Sequence, residues 1–257
     1  MDLAVPEKEL WLPPPKRLTL TAGEVHVWAV LLDQTPDTVQ ALLKILSPDE
    51  CARATRYHFQ RDFEHFVIAR GVLRDILSRY LNVSSHKIEF LYNQCGKPLL
   101  ASCDWSLGFN LSHAKGVALC AISQTNAIGV DIEYAREDFP GDEIAERFFS
   151  ANEVAALRDL APDLRTVGFF NCWTRKEAYI KARGEGLSHP LDSFTVSLIP
   201  GHPARILTAD DPLETSRWTL MELLPGRDHI ASLAVEGKVR TLRQWHWIEQ
   251  GFLLDDR

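Results

Sequence analysis

Apolar and polar residues recur along this chain in two different periods, which predict short strands interleaved with longer helices. An apolar stretch from Val25 to Leu32 predicts a first strand over residues 24–33. Between residues 63 and 80, apolar side chains return every three or four positions, which predicts a long amphipathic helix. The same criteria predict helices over residues 38–46, 142–149, 152–160 and 166–183, and strands over residues 88–92, 105–111, 117–122, 128–134, 194–198, 218–223, 230–235 and 245–248.

Turn and capping residues divide these elements into two comparable sets. Ser47-Pro48-Asp49-Glu50 is typical of a helix start, Asn126 of a turn, and Gly184 of a helix end. Each half of the chain runs from a strand through helices to further strands. This order predicts an α+β fold made of two similar subdomains, residues 1–125 and 126–257.

Composition and charge narrow the class of protein. The chain has 257 residues, a hydrophobic fraction of 46% and a net charge of −7, so the sequence favours a globular protein and argues against general nucleic-acid binding. The negative charge lies in the second half, since residues 1–125 hold 13 basic and 13 acidic residues and residues 126–257 hold 15 and 22. Six arginines between Arg53 and Arg79 predict a local basic surface in the first half.

The lack of a visible targeting signal and the pattern of cysteines predict a cytoplasmic protein. The apolar run from Val27 to Leu32 is far shorter than the ~20 residues of a membrane-spanning helix, and residues 1–7 show no secretory signal. No two of the five cysteines have C-x-x-C spacing, and they are interpreted as reduced, mostly buried thiols: Cys51, Cys95, Cys103, Cys120 and Cys172.

A pair of carboxylates on one predicted strand is the first candidate for chemistry. In Gly129-Val130-Asp131-Ile132-Glu133, strand alternation places Asp131 and Glu133 on one face. Mg²⁺ binds carboxylate oxygens together with substrate phosphates and water, so it would suit this pair. The alternative is an ordinary solvated strand face.

The predicted helix over residues 166–183 carries a second candidate pair. Glu177 and Lys181 lie four positions apart, on the side of the helix that Phe170 and Trp173 share, and so at the edge of the apolar face. Glu177 would be a third metal carboxylate and Lys181 a phosphate ligand. An exposed Glu-to-Lys pair is the alternative.

Glu153 has two open interpretations. Ser150-Ala151-Asn152-Glu153 matches the S-x-x-E capping box, which accounts for both Ser150 and Glu153. The functional alternative is a carboxylate near the metal that helps to accept a proton.

The first half supplies donors that together would bind several phosphates, although each is weak alone. Lys97 lies in the rigid turn Gly96-Lys97-Pro98, and Asn110-Leu111-Ser112-His113 ends a strand at a loop. Arg53 and Arg56 lie one turn apart on a predicted helix.

Taken in order, these motifs resemble the 4′-phosphopantetheinyl transferases of the surfactin-synthetase-activating (Sfp) type. The resemblance covers roughly residues 47–198 and rests on six segments: Gly96-Lys97-Pro98, Asn110 to His113, Gly129 to Glu133, Arg147 to Ser150 with Glu153, Trp173 to Lys181, and Gly186-Leu187 before Pro190-Leu191. It implies a pseudo-dimer of two α+β subdomains with coenzyme A in the cleft between them. It also implies transfer of phosphopantetheine from coenzyme A to a serine of an apo carrier protein, with release of adenosine 3′,5′-bisphosphate.

The resemblance also implies roles for individual residues. Metal carboxylates fall on Asp131, Glu133 and Glu177, with Mg²⁺, or Mn²⁺ in its place, as the ion. Coenzyme A contacts fall on Arg53, Lys97, Ser112, His113 and Lys181, with Arg56 beside Arg53. Glu177, or Glu153 through a water molecule, would accept the serine proton.

One position of the sequence departs from the family pattern, and two other activities are alternatives to this interpretation. Glu50 occupies a position where other members have a lysine, so Arg53 or Arg56 would have to compensate at the 3′-phosphate. A metal-dependent pyrophosphate hydrolase and a non-catalytic coenzyme A or carrier-binding module are the alternative functions. Because one chain supplies both halves of the cleft, we expect a monomer.

Overall fold

The fold is described by a computed structural model that covers residues 11–102, 107–125, 127–136, 139–226 and 228–248. Predictions at residues 1–7, Cys103, Trp105 and Asn126 lie outside these ranges. Within the described ranges, no helix combines the length and apolarity needed to cross a membrane.

Among the described residues, the first half supplies three α-helices and three strands of a four-stranded sheet. The sheet strands are β1 (Glu24–Leu31), β4 (Gly108–Ala114), β5 (Val117–Ser123) and β11 (Thr241–His246), and a separate hairpin pairs β2 (Phe90–Tyr92) with β3 (Pro98–Leu100). The helices are α1 (Pro36–Leu43), α2 (Pro48–Ala54) and α3 (Gln60–Leu81). The strand order is β11-β1-β5-β4, antiparallel except that β11 runs parallel to β1.

In the described part of the second half, four α-helices accompany a three-stranded antiparallel sheet. Its strands, in the order β6-β10-β9, are β6 (Ile128–Tyr134), β10 (His229–Glu236) and β9 (Trp218–Leu223), and a short pair joins β7 (Thr195–Val196) to β8 (Ile206–Thr208). The helices are α4 (Gly141–Phe148), α5 (Ala151–Asp159), α6 (Pro162–Arg183) and α7 (Glu214–Arg217).

Three apolar clusters stack these elements in four layers. One cluster joins α1, α2 and α3 to one face of the first sheet, and another joins α4, α5 and α6 to one face of the second sheet. The third cluster lies between the two sheets and includes Val27, Leu119, Val130, Leu223 and Leu233. The order is therefore helices, sheet, sheet, helices, which confirms the α+β fold of two related halves.

Most predicted elements are confirmed, and two features of the topology were not predicted. Strands β3 and β8 and helix α7 were not predicted, because three or four residues are too few to show a period. Strand β11 belongs to the first sheet although it lies within residues 126–257, so the predicted division at residue 125 does not separate the two sheets.

Gly129 determines how closely α6 packs on β6. A Cβ atom at this position would lie 2.1 Å from the Ala178 carbonyl oxygen and 2.4 Å from the Ala182 nitrogen. Both atoms belong to the backbone of α6, which cannot rotate away as a side chain can. The helix can cross this strand at such a short distance only because residue 129 has no side chain.

We expect Gly129→Ala to destabilise the fold by ~3 kcal/mol or more, because the added methyl forces α6 away from β6. Urea unfolding measures this change. Gly226→Ala is the matched control, since its Cβ atom would meet only a His229 side-chain atom at 3.9 Å. Equal free energies of unfolding for the two variants would contradict the assignment of close packing at Gly129.

Candidate active site

The crossing of α6 over β6 brings the predicted acidic and basic side chains together. Gly129, Asp131 and Glu133 alternate with Val130 and Ile132, whose side chains pack between the sheets. The face that carries Gly129 therefore looks toward α6. Lys181 lies on α6 at this crossing, and its Nζ atom is 2.6 Å from Asp131 Oδ1.

Asp131 is buried and only partly satisfied. Its Oδ1 atom accepts hydrogen bonds from Lys181 Nζ and, at 3.0 Å, from Ser112 Oγ of β4. Its Oδ2 atom is buried and has no hydrogen-bond partner among the described residues. A buried carboxylate oxygen in this state is costly unless a further donor or a cation binds there. The alternative of a solvated strand face is wrong for Asp131, which is 3% exposed.

Glu133 and Glu177 lie close enough to Asp131 for its negative charge to raise the pKa of both. Burial raises the pKa of Glu177 to about 7, and the negative charge of Asp131 adds to this effect. Burial and then the charge of Asp131 also raise the pKa of Glu133, although Lys181 and a hydrogen bond from Trp173 oppose the shift. A cation placed among these carboxylates would therefore be stabilised electrostatically.

Two side chains of β4 connect the first half to this cluster. Ser112 Oγ lies 3.1 Å from Lys181 Nζ as well as beside Asp131. Asn110 Oδ1 accepts a hydrogen bond of 2.9 Å from the Val130 amide, which ties β4 to β6. The sequence motif included Asn110, but its structural role was not predicted, because an amide contact to a distant backbone leaves no periodic signal.

His113 lies at the edge of the same cluster. Partial desolvation lowers the pKa of His113, and the positive charges of Lys181 and His65 lower it further. The ring lines a cavity of about 430 Å³ together with Glu133 and the aromatic side chains of Phe139, Phe170 and Trp173. This volume lies within the range of small-molecule sites in proteins.

The predicted coenzyme A contacts occupy different environments. Arg53 and Arg56 are exposed on and just after α2, and the Arg53 guanidinium lies 5.5 Å from the centre of the Phe66 ring. Lys97 is half-buried, and its Nζ atom donates to the backbone carbonyls of Ile128 and Ala182. The structure thus leaves Arg53 and Arg56 accessible and engages Lys97 between the two halves.

Glu50 is part of the core of the first half. Its carboxylate lies 2.6 Å from nitrogen atoms of both Arg70 and Arg74, and it completes the capping box with Ser47 at the start of α2. Burial alone would raise the pKa of Glu50, but the two guanidinium groups hold it below its usual value. This single carboxylate therefore pairs with two buried arginines at once.

This arrangement corrects the predicted basic surface between Arg53 and Arg79. Arg70 and Arg74 are buried, and Arg79 is largely covered and pairs with Asp75 at 2.5 Å. The prediction was wrong for these three arginines because their helical spacing does not reveal which face meets Glu50 and the core. An accessible surface remains at Arg53, Arg56 and Arg61.

Glu153 is not brought into the cluster of Asp131 and Glu177. It is 1% exposed, and its carboxylate accepts hydrogen bonds from the Ser150 and Val196 amides and pairs with Lys176 at 2.8 Å. These contacts support the capping-box interpretation. They leave no free carboxylate oxygen directed toward Asp131, so a catalytic role for Glu153 gains no support from the geometry.

The site residues provide oxygen donors for a divalent cation, but they do not form a closed cage. Across the described residues, no group of three or more His, Cys, Asp or Glu side chains converges tightly enough to hold a metal ion. Lys181 instead pairs with Asp131 Oδ1, while Asp131 Oδ2 has no partner in the part of the chain that the structure describes. The unpartnered oxygen and the hard oxygen donors of Glu133 and Glu177 fit Mg²⁺ chemistry.

Sequence comparisons identify the class of protein that has this fold and site. Residues 127–234 match the profile of the 4′-phosphopantetheinyl transferase superfamily, and residues 33–125 match the N-terminal profile of 4′-phosphopantetheinyl transferases. The chain therefore belongs to the 4′-phosphopantetheinyl transferase family, and it is a transferase.

Individual relatives extend over most of the chain. It is 40% identical to the 4′-phosphopantetheinyl transferase HetI of Nostoc sp. over 92% of this chain and 98% of the relative. It is 30% identical to the 4′-phosphopantetheinyl transferase Sfp of Bacillus subtilis over 68% of this chain and 77% of the relative. A Xenopus laevis relative, L-aminoadipate-semialdehyde dehydrogenase-phosphopantetheinyl transferase, is 28% identical over 75% of this chain and 68% of the relative.

The raised pKa of Glu177 predicts a pH-dependent cost to stability in the absence of metal. The folded-state pKa of about 7 exceeds the ordinary value of 4.5, so this group's stabilising contribution is complete below pH 4.5 and is lost as pH rises through 7. The comparison is made in EDTA between Glu177→Gln and the unsubstituted protein. We expect the difference in their free energies of unfolding to shift by ~1–3 kcal/mol in favour of Glu177→Gln between pH 5 and pH 8.5. Urea unfolding at both pH values measures the difference. An equal pH dependence of the two proteins would contradict it.

Proposed function

We propose that this protein transfers the 4′-phosphopantetheine group of coenzyme A to a serine of an apo acyl, polyketide or peptidyl carrier protein and releases adenosine 3′,5′-bisphosphate. The observation that carries this proposal is the cluster of Asp131, Glu177 and Lys181 at the crossing of β6 and α6, where one Asp131 oxygen has no hydrogen-bond partner among the residues the structure describes. Membership of the family supports the reaction class.

The carboxylates of Asp131, Glu133 and Glu177 would supply oxygen ligands to Mg²⁺, or Mn²⁺ in its place, together with phosphate oxygens of coenzyme A. When bound, the ion would neutralise charge on the pyrophosphate of coenzyme A. The unpartnered Asp131 oxygen and the mutual repulsion of the carboxylates support this assignment.

Cationic and hydrogen-bonding side chains around the cluster would orient the pyrophosphate. Lys181 would contact its oxygens, and Ser112 and His113 would bind from the strand of the first half. Arg53 and Arg56, which are exposed, would bind the 3′-phosphate. Phosphoryl-type transfer depends mainly on such positioning and charge neutralisation.

The attacking serine hydroxyl needs a proton acceptor, and Glu177 is favoured over Glu153 for this role. Glu177 is half-buried within the cluster, whereas Glu153 is fully engaged by Lys176 and two backbone amides. A carboxylate that lies within the cluster and is not fully engaged by other donors is free to accept the proton.

The proposal also covers the cellular location and the oligomeric state of the protein. We propose a cytoplasmic monomer, because one chain supplies both sides of the cleft, and because four described cysteines are free thiols, as is usual in a reducing compartment. Light scattering on the purified protein measures its oligomeric state.

Intact-mass spectrometry of an apo carrier protein incubated with this protein, coenzyme A and Mg²⁺ tests the reaction. We expect a gain of one phosphopantetheine that EDTA abolishes. Asp131→Asn should reduce the rate by at least ~10²-fold while the protein stays folded, because it removes a carboxylate that would hold the cation facing the pyrophosphate. Breakdown of coenzyme A without modification of any carrier would indicate a hydrolase, and coenzyme A binding without reaction would indicate a binding module.

Paired variants separate the roles of the two glutamates. Glu177→Gln should lower kcat by ~10²-fold or more and leave the fold intact, because it removes the proposed base and a metal ligand. Glu153→Gln should instead lower the free energy of unfolding by ~3–5 kcal/mol, because the buried Lys176 loses its counter-ion, while the kcat of the folded fraction changes little. The reverse pattern in unfolding and steady-state assays would make Glu153 the base.

A further inference from the structure

A short loop of the first half reaches across to the backbone of the second half. In this loop, residues 93–97, the Asn93 Nδ2 atom donates a hydrogen bond of 2.7 Å to the Gly184 carbonyl oxygen. The Lys97 Nζ atom donates to the carbonyl oxygens of Ile128, at 2.9 Å, and Ala182, at 3.0 Å. Two side chains thus contact three carbonyls of the other half.

These carbonyls lie where α6 crosses β6. Ile128 precedes Gly129, the residue that permits the close crossing, and Ala182 follows Lys181. The carbonyls at the C-terminal end of a helix have no partner within the helix, and a cation or an amide donor there is favourable. Lys97 therefore links the strand and the helix of the site directly through their backbones.

The local sequence is arranged to fit this contact. Gly184 has a φ of +74°, and a Cβ atom there would lie 2.9 Å from Asn93 Nδ2 and 3.4 Å from Lys97 Cδ. Asn93 Oδ1 also accepts hydrogen bonds of 2.9 Å from the Cys95 and Lys97 amides. The asparagine therefore fixes the loop that presents Lys97 and also caps the end of α6.

We propose that Asn93 and Lys97 form a latch that positions α6 on β6, so that Lys97 serves the reaction through the placement of Glu177 and Lys181 and not through a contact with coenzyme A phosphates. This proposal rests on the proposed function for its kinetic consequences. Burial between the two halves lowers the pKa of Lys97 to about 8, in agreement with an ammonium group withdrawn from solvent. Lys97 is therefore a positioning residue.

Steady-state kinetics of Lys97→Met distinguishes a latch from a phosphate contact. We expect kcat to fall ~10-fold or more, because a small displacement of the reacting groups is costly, while KM for coenzyme A stays within ~threefold. Lys97→Arg should restore part of kcat, since a guanidinium can donate to two carbonyls. Lys44→Met is the matched control, because Lys44 is an exposed lysine of the same half at the end of α1, and it should behave like the unsubstituted protein.

Hydrogen exchange supplies a readout that does not depend on activity. Amides of residues 180–185 should exchange ~10-fold faster in Lys97→Met than in the unsubstituted protein. Asn93→Asp should have the same effect, because it keeps the Oδ1 acceptor, removes the donor to Gly184 and adds a negative charge at the helix C-terminus. If Lys97→Met does not fold, Asn93→Asp provides both measurements.

A KM for coenzyme A that rises tenfold, with unchanged kcat and unchanged exchange at residues 180–185, would overturn the latch and favour a phosphate contact. Unchanged exchange in both variants would also overturn it. If the unsubstituted protein transfers nothing to any carrier, the proposed function fails, and the exchange measurement alone still decides whether the latch holds α6.

Discussion

The close crossing of α6 over β6 is the constraint on which the rest of the structure depends. Because Gly129 has no side chain, the backbone of the helix approaches the strand closely enough to bring Lys181 within 2.6 Å of Asp131. A longer separation would leave a buried carboxylate without its cation, which is a costly state. One small residue thus converts an ordinary helix-on-sheet contact into a charged cluster that combines side chains from β4, β6 and α6.

Helix α6, which carries Glu177 and Lys181, is held in place by buried charged side chains. Within the segment from Trp173 to Lys181, Glu177 and Lys181 belong to the site, whereas Arg175 and Lys176 are fully buried. Lys176 Nζ contacts the Leu191 and Phe194 carbonyls and pairs with Glu153. A buried ammonium with defined partners permits few alternative positions of the helix. The segment from Trp173 to Lys181 therefore contains both charged residues of the candidate site and buried charged residues that hold the helix. The spacing of these residues in the sequence does not distinguish the two groups.

Sequence patterns predicted the elements of the fold well and their mutual contacts poorly. Strand β6 was predicted at its observed bounds, the capping box predicted at Ser150 is present at α5, and α2 begins where Ser47-Pro48 predicted a helix start. The period of a helix places Glu177 and Lys181 on one side, but it cannot tell that Arg70 and Arg74 converge on Glu50, which lies twenty or more positions earlier. Partners this distant in the chain are fixed by packing between layers, and local spacing does not encode them.

The parallel pairing of β1 with β11 has a consequence for the order in which parts of this chain fold during synthesis. Glu24 lies opposite Thr241, so the first sheet joins residues from the two extremes of the described chain. During synthesis from the N-terminus, β1 is made long before its partner, and one of its edges lacks that partner until residues 241–246 have been made. Contacts of such high sequence separation form late and slowly. The newly made first half therefore presents an open strand edge until β11 pairs with it, and such an edge can pair with another chain.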